Sequence, residues 1–94
     1  MFNELYQIIQ DRKENRPDGS YTVQLLDGGE NLILRKIGEE TVEVLLAAKS
    51  ESRKRLVEET ADLFYHTLVL LAASGIPLDA VEEELRRRHL KSLQ

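Results

Sequence analysis

Two pairs of acidic residues at helical spacing constrain this chain more than any other feature. Glu40 is followed three residues later by Glu43, and Glu59 is followed three residues later by Asp62. Residues three apart share one face of an α-helix, so each pair places two carboxylates side by side. Both pairs lie among apolar residues, where a charge without a partner is costly. The sequence therefore predicts two helices whose acidic faces need a counter-charge.

Polar residues between the two acidic pairs predict a tight reversal of the chain. Ser50, Glu51 and Ser52 interrupt the apolar pattern, and either serine is a suitable N-cap for the second helix. If the reversal is centred on residue 51, residues that face each other have numbers that sum to 102. This register predicts three facing pairs: Glu43 with Glu59, Glu40 with Asp62, and Lys36 with His66.

A divalent cation is the predicted counter-charge. Four carboxylates that face each other cannot all stay ionised alone, because neighbouring like charges raise one another's pKa. An all-oxygen ligand set favours Mg²⁺, with Mn²⁺ as the alternative, and the absence of cysteine disfavours zinc. The competing interpretation is that the acids are solvated surface residues, which is the usual role of acids on helices. The predicted metal ligands are Glu40, Glu43, Glu59 and Asp62.

Size and charge exclude several classes of protein. Ninety-four residues predict one domain spanning residues 1–94. A net charge of −4 disfavours a nucleic-acid partner, since phosphate backbones need a basic surface, but it leaves room for a small phosphorylated ligand. The longest apolar run, residues 67–73, is too short to cross a membrane, and the N-terminus lacks the pattern of a signal peptide. We expect a cytoplasmic protein without a membrane or nucleic-acid partner.

Apolar periodicity predicts an all-α fold. Helices are predicted over residues 2–13, 30–49, 53–74 and 77–91, with a short helix over 23–26 that Asp27-Gly28-Gly29 interrupts. The two long helices form an antiparallel hairpin, and the others flank it. Their apolar circumference is wider than one partner helix covers, so we expect homodimerisation to complete a helix bundle.

The segment over residues 15–22 is predicted to be a loop. Pro-Asp-Gly at residues 17–19 is typical of turns, and the surrounding side chains are polar. Loops often carry functional residues, so this segment either binds phosphate or serves only as a turn. His66 has two interpretations as well: a core histidine with a satisfied hydrogen bond, or a group that orients an acid or contacts substrate. The loop residues able to hydrogen-bond phosphate are Arg16, Ser20, Tyr21 and Thr22.

Three motifs together resemble a known family. The first motif is Lys36-Ile37-Gly38-Glu39-Glu40, followed by Glu43. The second runs from Glu59 to His66 and includes Asp62 and Tyr65. The third is Ser20-Tyr21-Thr22, which follows Pro17-Asp18-Gly19. In combination they resemble the phosphoribosyl-ATP pyrophosphatase family, within the all-α, MazG-like nucleotide pyrophosphohydrolases. The acidic motifs alone mark only the superfamily, whereas the loop, the lysine motif and Tyr-His point to this enzyme.

The resemblance implies a reaction and a set of roles. The reaction is hydrolysis of phosphoribosyl-ATP to phosphoribosyl-AMP and pyrophosphate, the second step of histidine biosynthesis, by a Mg²⁺-dependent helical homodimer. The four acids become metal ligands, and Glu39 and Glu40 become the catalytic residues, with Glu39 a further ligand or the base that activates water. The implied substrate-binding residues are Lys36, Arg16, Asp18, Ser20, Tyr21, Thr22 and His66.

Two other functions stay open at this stage. A pyrophosphohydrolase that removes noncanonical nucleoside triphosphates would share the acids without needing the Ser20-Tyr21-Thr22 loop. A helical dimerisation module with solvated acids would not respond to Mg²⁺ at all.

Overall fold

Five α-helices make up the chain in the computed structural model, which describes residues 1–89. Within that range no residue lies in a β-strand, which confirms the predicted all-α class. The predicted extension of the last helix to residue 91 lies outside the described residues. The helices are α1 (Phe2–Asn15), α2 (Tyr21–Gly28), α3 (Glu30–Lys49), α4 (Arg53–Ala73) and α5 (Leu78–Arg88).

A three-residue turn joins the long helices α3 and α4 into the predicted antiparallel hairpin. The Ser52 side chain caps α4 by accepting a hydrogen bond from the Arg55 backbone N–H at 3.3 Å. Glu51 adopts φ 60°, which turns the chain, and the Ser52 backbone N–H then reaches back to the Ala47 carbonyl at 3.4 Å. The predicted serine cap is therefore confirmed at Ser52.

All five helices contribute to one apolar core at one end of this hairpin. Tyr6 and Ile9 of α1 pack against α4, where the Tyr6 hydroxyl donates to the Ile76 carbonyl at 2.6 Å. Lys13 donates to the Ala72 carbonyl at 2.8 Å and fixes the other end of α1. These contacts position α1 over the C-terminal half of α4. The buried core residues are Tyr6, Ile9, Leu25, Ile33, Leu68, Val69, Ala72 and Leu78.

The short helix α2 is longer than the sequence predicts at both ends. Ser20 caps it by accepting from the Val23 backbone N–H at 3.3 Å, so the helix begins at Tyr21 inside the predicted loop. Asp27 and Gly28 are helical, and the helix ends at Gly29, whose φ of 85° favours glycine. The prediction that Asp27 begins the interruption was wrong, because one glycine with positive φ is enough to end the helix.

A Schellman motif ends α4 and sets the direction of α5. The Ile76 N–H bonds the Leu71 carbonyl at 2.9 Å, and the N–H of Gly75, at φ 71°, bonds the Ala72 carbonyl at 3.2 Å. Pro77 then caps α5, as its position predicts. Within residues 1–89 no helix alone has the length and apolar content of a membrane span, and α4 with α5 meets that test only as a pair bent by 113°.

Part of the hairpin surface is apolar and has no helix packed over it. On α3, Leu34, Val42 and Leu45 are exposed, Leu45 at 64%, and on α4 Val57 is 57% exposed. At 100° per residue, these side chains lie roughly 100–180° around each helix from the acidic residues. We call them the uncovered apolar stripes: Leu34, Val42 and Leu45 on α3, with Val57 and Ala61 on α4.

Replacing Ile9 by alanine should destabilise the fold, because Ile9 is fully buried between α1 and α4. We expect the free energy of unfolding to fall by about 2–4 kcal/mol. The matched control is Ile8→Ala, since the neighbouring isoleucine is 49% exposed and should cost well below half as much. Urea unfolding followed by circular dichroism measures both, and equal losses would contradict this packing.

Candidate active site

Three of the predicted acids meet between α3 and α4. Glu40 of α3 and Glu59 and Asp62 of α4 each offer a carboxylate oxygen, and these oxygens all lie within 4.8 Å of one another. Glu40 and Glu59 are half-buried, whereas Asp62 is exposed. We call these residues the three-acid cluster. Its all-oxygen ligand set suits a hard divalent cation.

Glu40 is surrounded by other acids, and within residues 1–89 Arg55 alone forms an ion pair with a member of the three-acid cluster, at 4.0 Å from Glu59. The pKa of Glu40 is raised to about 7. Burial is the largest cause, followed by a hydrogen bond with Glu59 and by the negative charges of Asp62, Glu59 and Glu43. A bound divalent cation would favour the ionised form and reverse this shift. The residues present therefore fit a metal site both in donor chemistry and in charge.

Glu43, the fourth predicted ligand, has a different partner. Its carboxylate accepts a hydrogen bond from Arg55 Nη2 at 2.9 Å, and the same nitrogen lies 4.0 Å from Glu59 Oε1. Glu43 is close enough to influence the charge of Glu40 but is not part of the three-acid cluster. A ligand role for Glu43 stays a prediction.

The contacts across the hairpin agree with part of the predicted pairing. The turn residues 50–52 are centred on residue 51, as predicted. Glu40 lies with Asp62 in the three-acid cluster, as the predicted pair requires, and it also hydrogen-bonds Glu59. Glu43 bonds Arg55, which is not its predicted partner.

His66 links the three-acid cluster to α2. Its ring is buried, and its Nδ1 lies 2.8 Å from the Asp62 backbone carbonyl. A carbonyl only accepts hydrogen bonds, so Nδ1 carries the proton and Nε2 of the neutral ring is an acceptor. The Tyr21 hydroxyl, 3.1 Å from Nε2, then donates to it. The first interpretation of His66, a buried histidine with satisfied hydrogen bonds, describes these contacts.

Aromatic rings pack around the hydrogen bond between His66 and Tyr21. The rings of Tyr21 and Tyr65 stack with centroids 6.2 Å apart, and His66 meets both edge-on. The buried Thr22 hydroxyl bonds the Tyr65 hydroxyl. Burial raises the pKa of Tyr21, and the charges of Glu40, Asp62 and Glu39 raise it further, so its hydroxyl lies within the field of the acids. The structure thus brings Tyr21 to the site that sequence predicted.

The other predicted substrate-binding residues lie farther from the acids or have structural partners. Lys36 Nζ lies 3.9 Å from Glu39 Oε1 at the edge of α3. Arg16 ends α1 at φ 48° and forms an ion pair with Asp27, and Asp18 is exposed in the turn that follows. Ser20 is occupied as the cap of α2. Substrate contacts by these residues stay predictions.

Sequence reasoning missed two residues of this site, Arg55 and Tyr65. Arg55 precedes Glu59 by four residues, a spacing that places both on one face of α4 and that could have revealed the ion pair. Tyr65 adjoins His66, but its bond to Thr22 joins two elements whose packing the sequence does not specify.

Comparison with known proteins identifies the family. A family model described as phosphoribosyl-ATP pyrophosphohydrolase matches residues 2–89. The chain belongs to this family. It is 54% identical over 88 residues to the phosphoribosyl-ATP pyrophosphatase of Metallosphaera sedula, covering 94% of this chain and 95% of that protein. A relative with the same name in Trichlorobacter lovleyi is 54% identical, over 94% of this chain and 82% of that protein. Another in Clostridium acetobutylicum is 45% identical, over 99% of this chain and 84% of that protein.

Membership of the pyrophosphohydrolase family confirms the prediction of an enzyme that cleaves a phosphoanhydride bond. The family model spans all five helices, including the loop before α2.

The stability of the protein in EDTA should fall as pH rises from about 5 to 8. Glu40 has a pKa of about 7 in the folded protein and an ordinary value of 4.5. Between these values the folded state keeps a proton that the unfolded chain releases, so stability is present at low pH and lost as pH rises through 7. Because Glu40 is partly solvated, we expect a loss of about 1–3 kcal/mol.

Thermal unfolding between about pH 5 and 8 measures this loss of stability. Glu40→Gln is the test variant and Glu58→Gln is its control. Glu40→Gln should flatten the profile, whereas Glu58→Gln, in the exposed residue next to Glu59, should leave it as in the wild type. An unchanged slope in Glu40→Gln would contradict the assigned pKa.

Proposed function

We propose that this chain hydrolyses phosphoribosyl-ATP to phosphoribosyl-AMP and pyrophosphate in a Mg²⁺-dependent reaction, the second step of histidine biosynthesis. The observation that carries the proposal is the convergence of Glu40, Glu59 and Asp62 within 4.8 Å in a chain of this family. A cluster of three carboxylates repels a polyphosphate, so the substrate needs a cation between itself and the acids.

The metal ligands in this proposal are the three-acid cluster, with Glu43 as a fourth ligand. Mg²⁺ suits their oxygen atoms, and Mn²⁺ is the alternative. When bound, the cation neutralises charge on the phosphate oxygens and makes a bound water more acidic. The half-buried position of Glu40 and Glu59 limits the water that competes for the ligand oxygens.

Glu39 is the group that we propose to accept the proton of the attacking water. It adjoins Glu40 but lies outside the three-acid cluster, so its carboxylate is available for proton transfer. Lys36 Nζ, 3.9 Å from Glu39, adds a positive charge at the same edge. Lys36 precedes Glu40 by four residues, which places both on one face of α3 and directs the lysine toward a phosphate held there.

Tyr21 and His66 complete the substrate side of the proposed site. His66 fixes the orientation of the Tyr21 hydroxyl by accepting its hydrogen bond, and the Tyr21 ring remains 46% exposed beside the acids. An aromatic ring with one open face can stack on a nucleotide base. Arg16, Asp18, Ser20 and Thr22 would support this end of the site by shaping the turn before α2 and its first residues.

Homodimerisation through the uncovered apolar stripes is part of the proposal. Leu45 and Val57 leave most of their surface in water, and no described helix covers them. A second copy of the hairpin would bury these side chains and complete a helix bundle. The stripes lie on the sides of α3 and α4 opposite the acids, so this contact leaves the three-acid cluster accessible.

Removing one ligand should abolish turnover without unfolding the protein. We expect Glu40→Gln and Asp62→Asn each to lower kcat/KM by at least about 100-fold, because a cation and its phosphate contacts supply several kcal/mol of transition-state stabilisation. Glu58→Gln is the control, since it removes the same charge from an exposed position. Mg²⁺ should raise the Tm of the wild type by binding the native state, and raise that of the ligand variants far less.

The substrate is tested by comparing phosphoribosyl-ATP with a panel of nucleoside triphosphates. Release of pyrophosphate from phosphoribosyl-ATP alone supports the proposal. Faster hydrolysis of noncanonical nucleoside triphosphates would instead favour the alternative function, a pyrophosphohydrolase that removes those nucleotides. A Tm that Mg²⁺ leaves unchanged would contradict the metal site itself.

Leu45→Lys should convert a dimer into monomers, because it places a charge within the proposed interface. The control is Ile8→Lys, which introduces the same charge at an exposed isoleucine on α1 outside the uncovered apolar stripes. Sedimentation equilibrium measures both variants and the wild type. A wild-type monomer, or a dimer that survives Leu45→Lys, would refute this interface.

A further inference from the structure

Arg55 occupies a position that the metal chemistry alone does not explain. At 100° per residue it lies within about 60° of Glu59 and Asp62 on α4, so it is on the acidic side of that helix. Its guanidinium crosses to α3 and donates to Glu43 at 2.9 Å, while remaining 4.0 Å from Glu59. Within residues 1–89, no other lysine or arginine forms an ion pair with any of the four acids.

The Arg55 guanidinium and a divalent cation in the acidic site would compete for the same carboxylates. Glu43 accepts a hydrogen bond from Arg55 and Glu59 lies 4.0 Å from it, and both acids are proposed ligands of the cation. The oxygen lone pairs used by the guanidinium are less available to a metal, and the two positive charges also repel each other. Half of the Arg55 side chain is exposed, so it has room to turn away into water.

We propose that Arg55 is a positioning residue that acts as an internal counter-ion, competing with the divalent cation for Glu43 and thereby setting the cation affinity of the acidic site. The inference rests on the metal site of the proposed function. In this role Arg55 holds Glu43 beside the three-acid cluster and lessens the repulsion among the acids. It must release Glu43 before that carboxylate can bind a cation.

The opposite role predicts the opposite result. If Arg55 pre-organises Glu43 and Glu59 for the metal, removing it disorders the ligands and weakens cation binding. If the ion pair is only a surface contact, removing it changes affinity no more than the loss of any nearby positive charge. The sign and the size of the change therefore distinguish the three cases.

The matched pair of variants is Arg55→Gln and Arg53→Gln. Both remove one positive charge from the first turn of α4, but Arg53 lies roughly 160° around the helix from Arg55 and so faces away from the acids. Arg55→Lys keeps the charge and serves as the conservative variant. Each variant is made in the full chain, stripped with EDTA and dialysed before measurement.

Isothermal titration calorimetry with MgCl₂ measures the affinity directly and independently of turnover. We expect Arg55→Gln to bind Mg²⁺ about three- to tenfold more tightly than Arg53→Gln, from the repulsion and the ion pair that it removes. Arg55→Lys should stay within about twofold of the wild type. In a Glu43→Gln background the gain from Arg55→Gln should shrink, because the contested carboxylate is gone.

The outcomes separate the two proposals. Equal or weaker Mg²⁺ binding by Arg55→Gln relative to Arg53→Gln, in a protein whose wild type binds Mg²⁺, would overturn the role of Arg55 and leave the metal site standing. A wild type that gives no Mg²⁺ binding would overturn the metal site and this inference with it. Competition for Glu43 would also be refuted if Arg55→Gln increased the Mg²⁺ affinity by the same factor in the Glu43→Gln background as in the wild type.

Discussion

The repulsion among carboxylates held between α3 and α4 is the constraint on which the rest of this structure depends. Carboxylate oxygens of Glu40, Glu59 and Asp62 lie within 4.8 Å of one another, and their charges add to the burial that raises the pKa of Glu40 to about 7. Such a group persists only when packing elsewhere holds the two helices together. The free energy that supports the site must therefore come from residues that are not part of it.

The core that supplies this support lies at the other end of the hairpin. Leu68, Val69 and Ala72 of α4 are buried against α1, α2 and α5, whereas Glu59 and Asp62 lie two to three turns earlier on the same helix. A rigid helix transmits the fixed position of its buried half to its acidic half. His66 marks the boundary, because it is buried like the core and yet bonds the backbone of Asp62 and the hydroxyl of Tyr21.

The sequence predicts those parts of the fold that depend on local periodicity. The spacing of apolar and acidic residues predicts the two long helices, and the Ser52 cap and Gly75 with Pro77 predict their ends, because each signal is read within a few residues. The centre of the turn and the proximity of Glu40 to Asp62 also agree with the sequence prediction. The contact of Arg55 with Glu43 was not predicted, because it depends on where a long side chain reaches across the hairpin rather than on spacing along one helix. The bond between Thr22 and Tyr65 depends on tertiary packing in the same way.

The two sides of the hairpin have opposite requirements. One pair of helices can meet both because the two sides face in different directions. The acidic side must stay open to a charged substrate, whereas the uncovered apolar stripes are more stable out of water. Because Leu45 and Val57 lie roughly 140–160° around their helices from the acids, the proposed association would bury them without enclosing Asp62. A helix that was apolar on the acidic side would desolvate the carboxylates further and raise the pKa of Glu40 beyond its present value. In the proposed dimer, separation of the two sides would keep the acids able to ionise when a cation binds, while association would add the apolar burial that a short chain lacks.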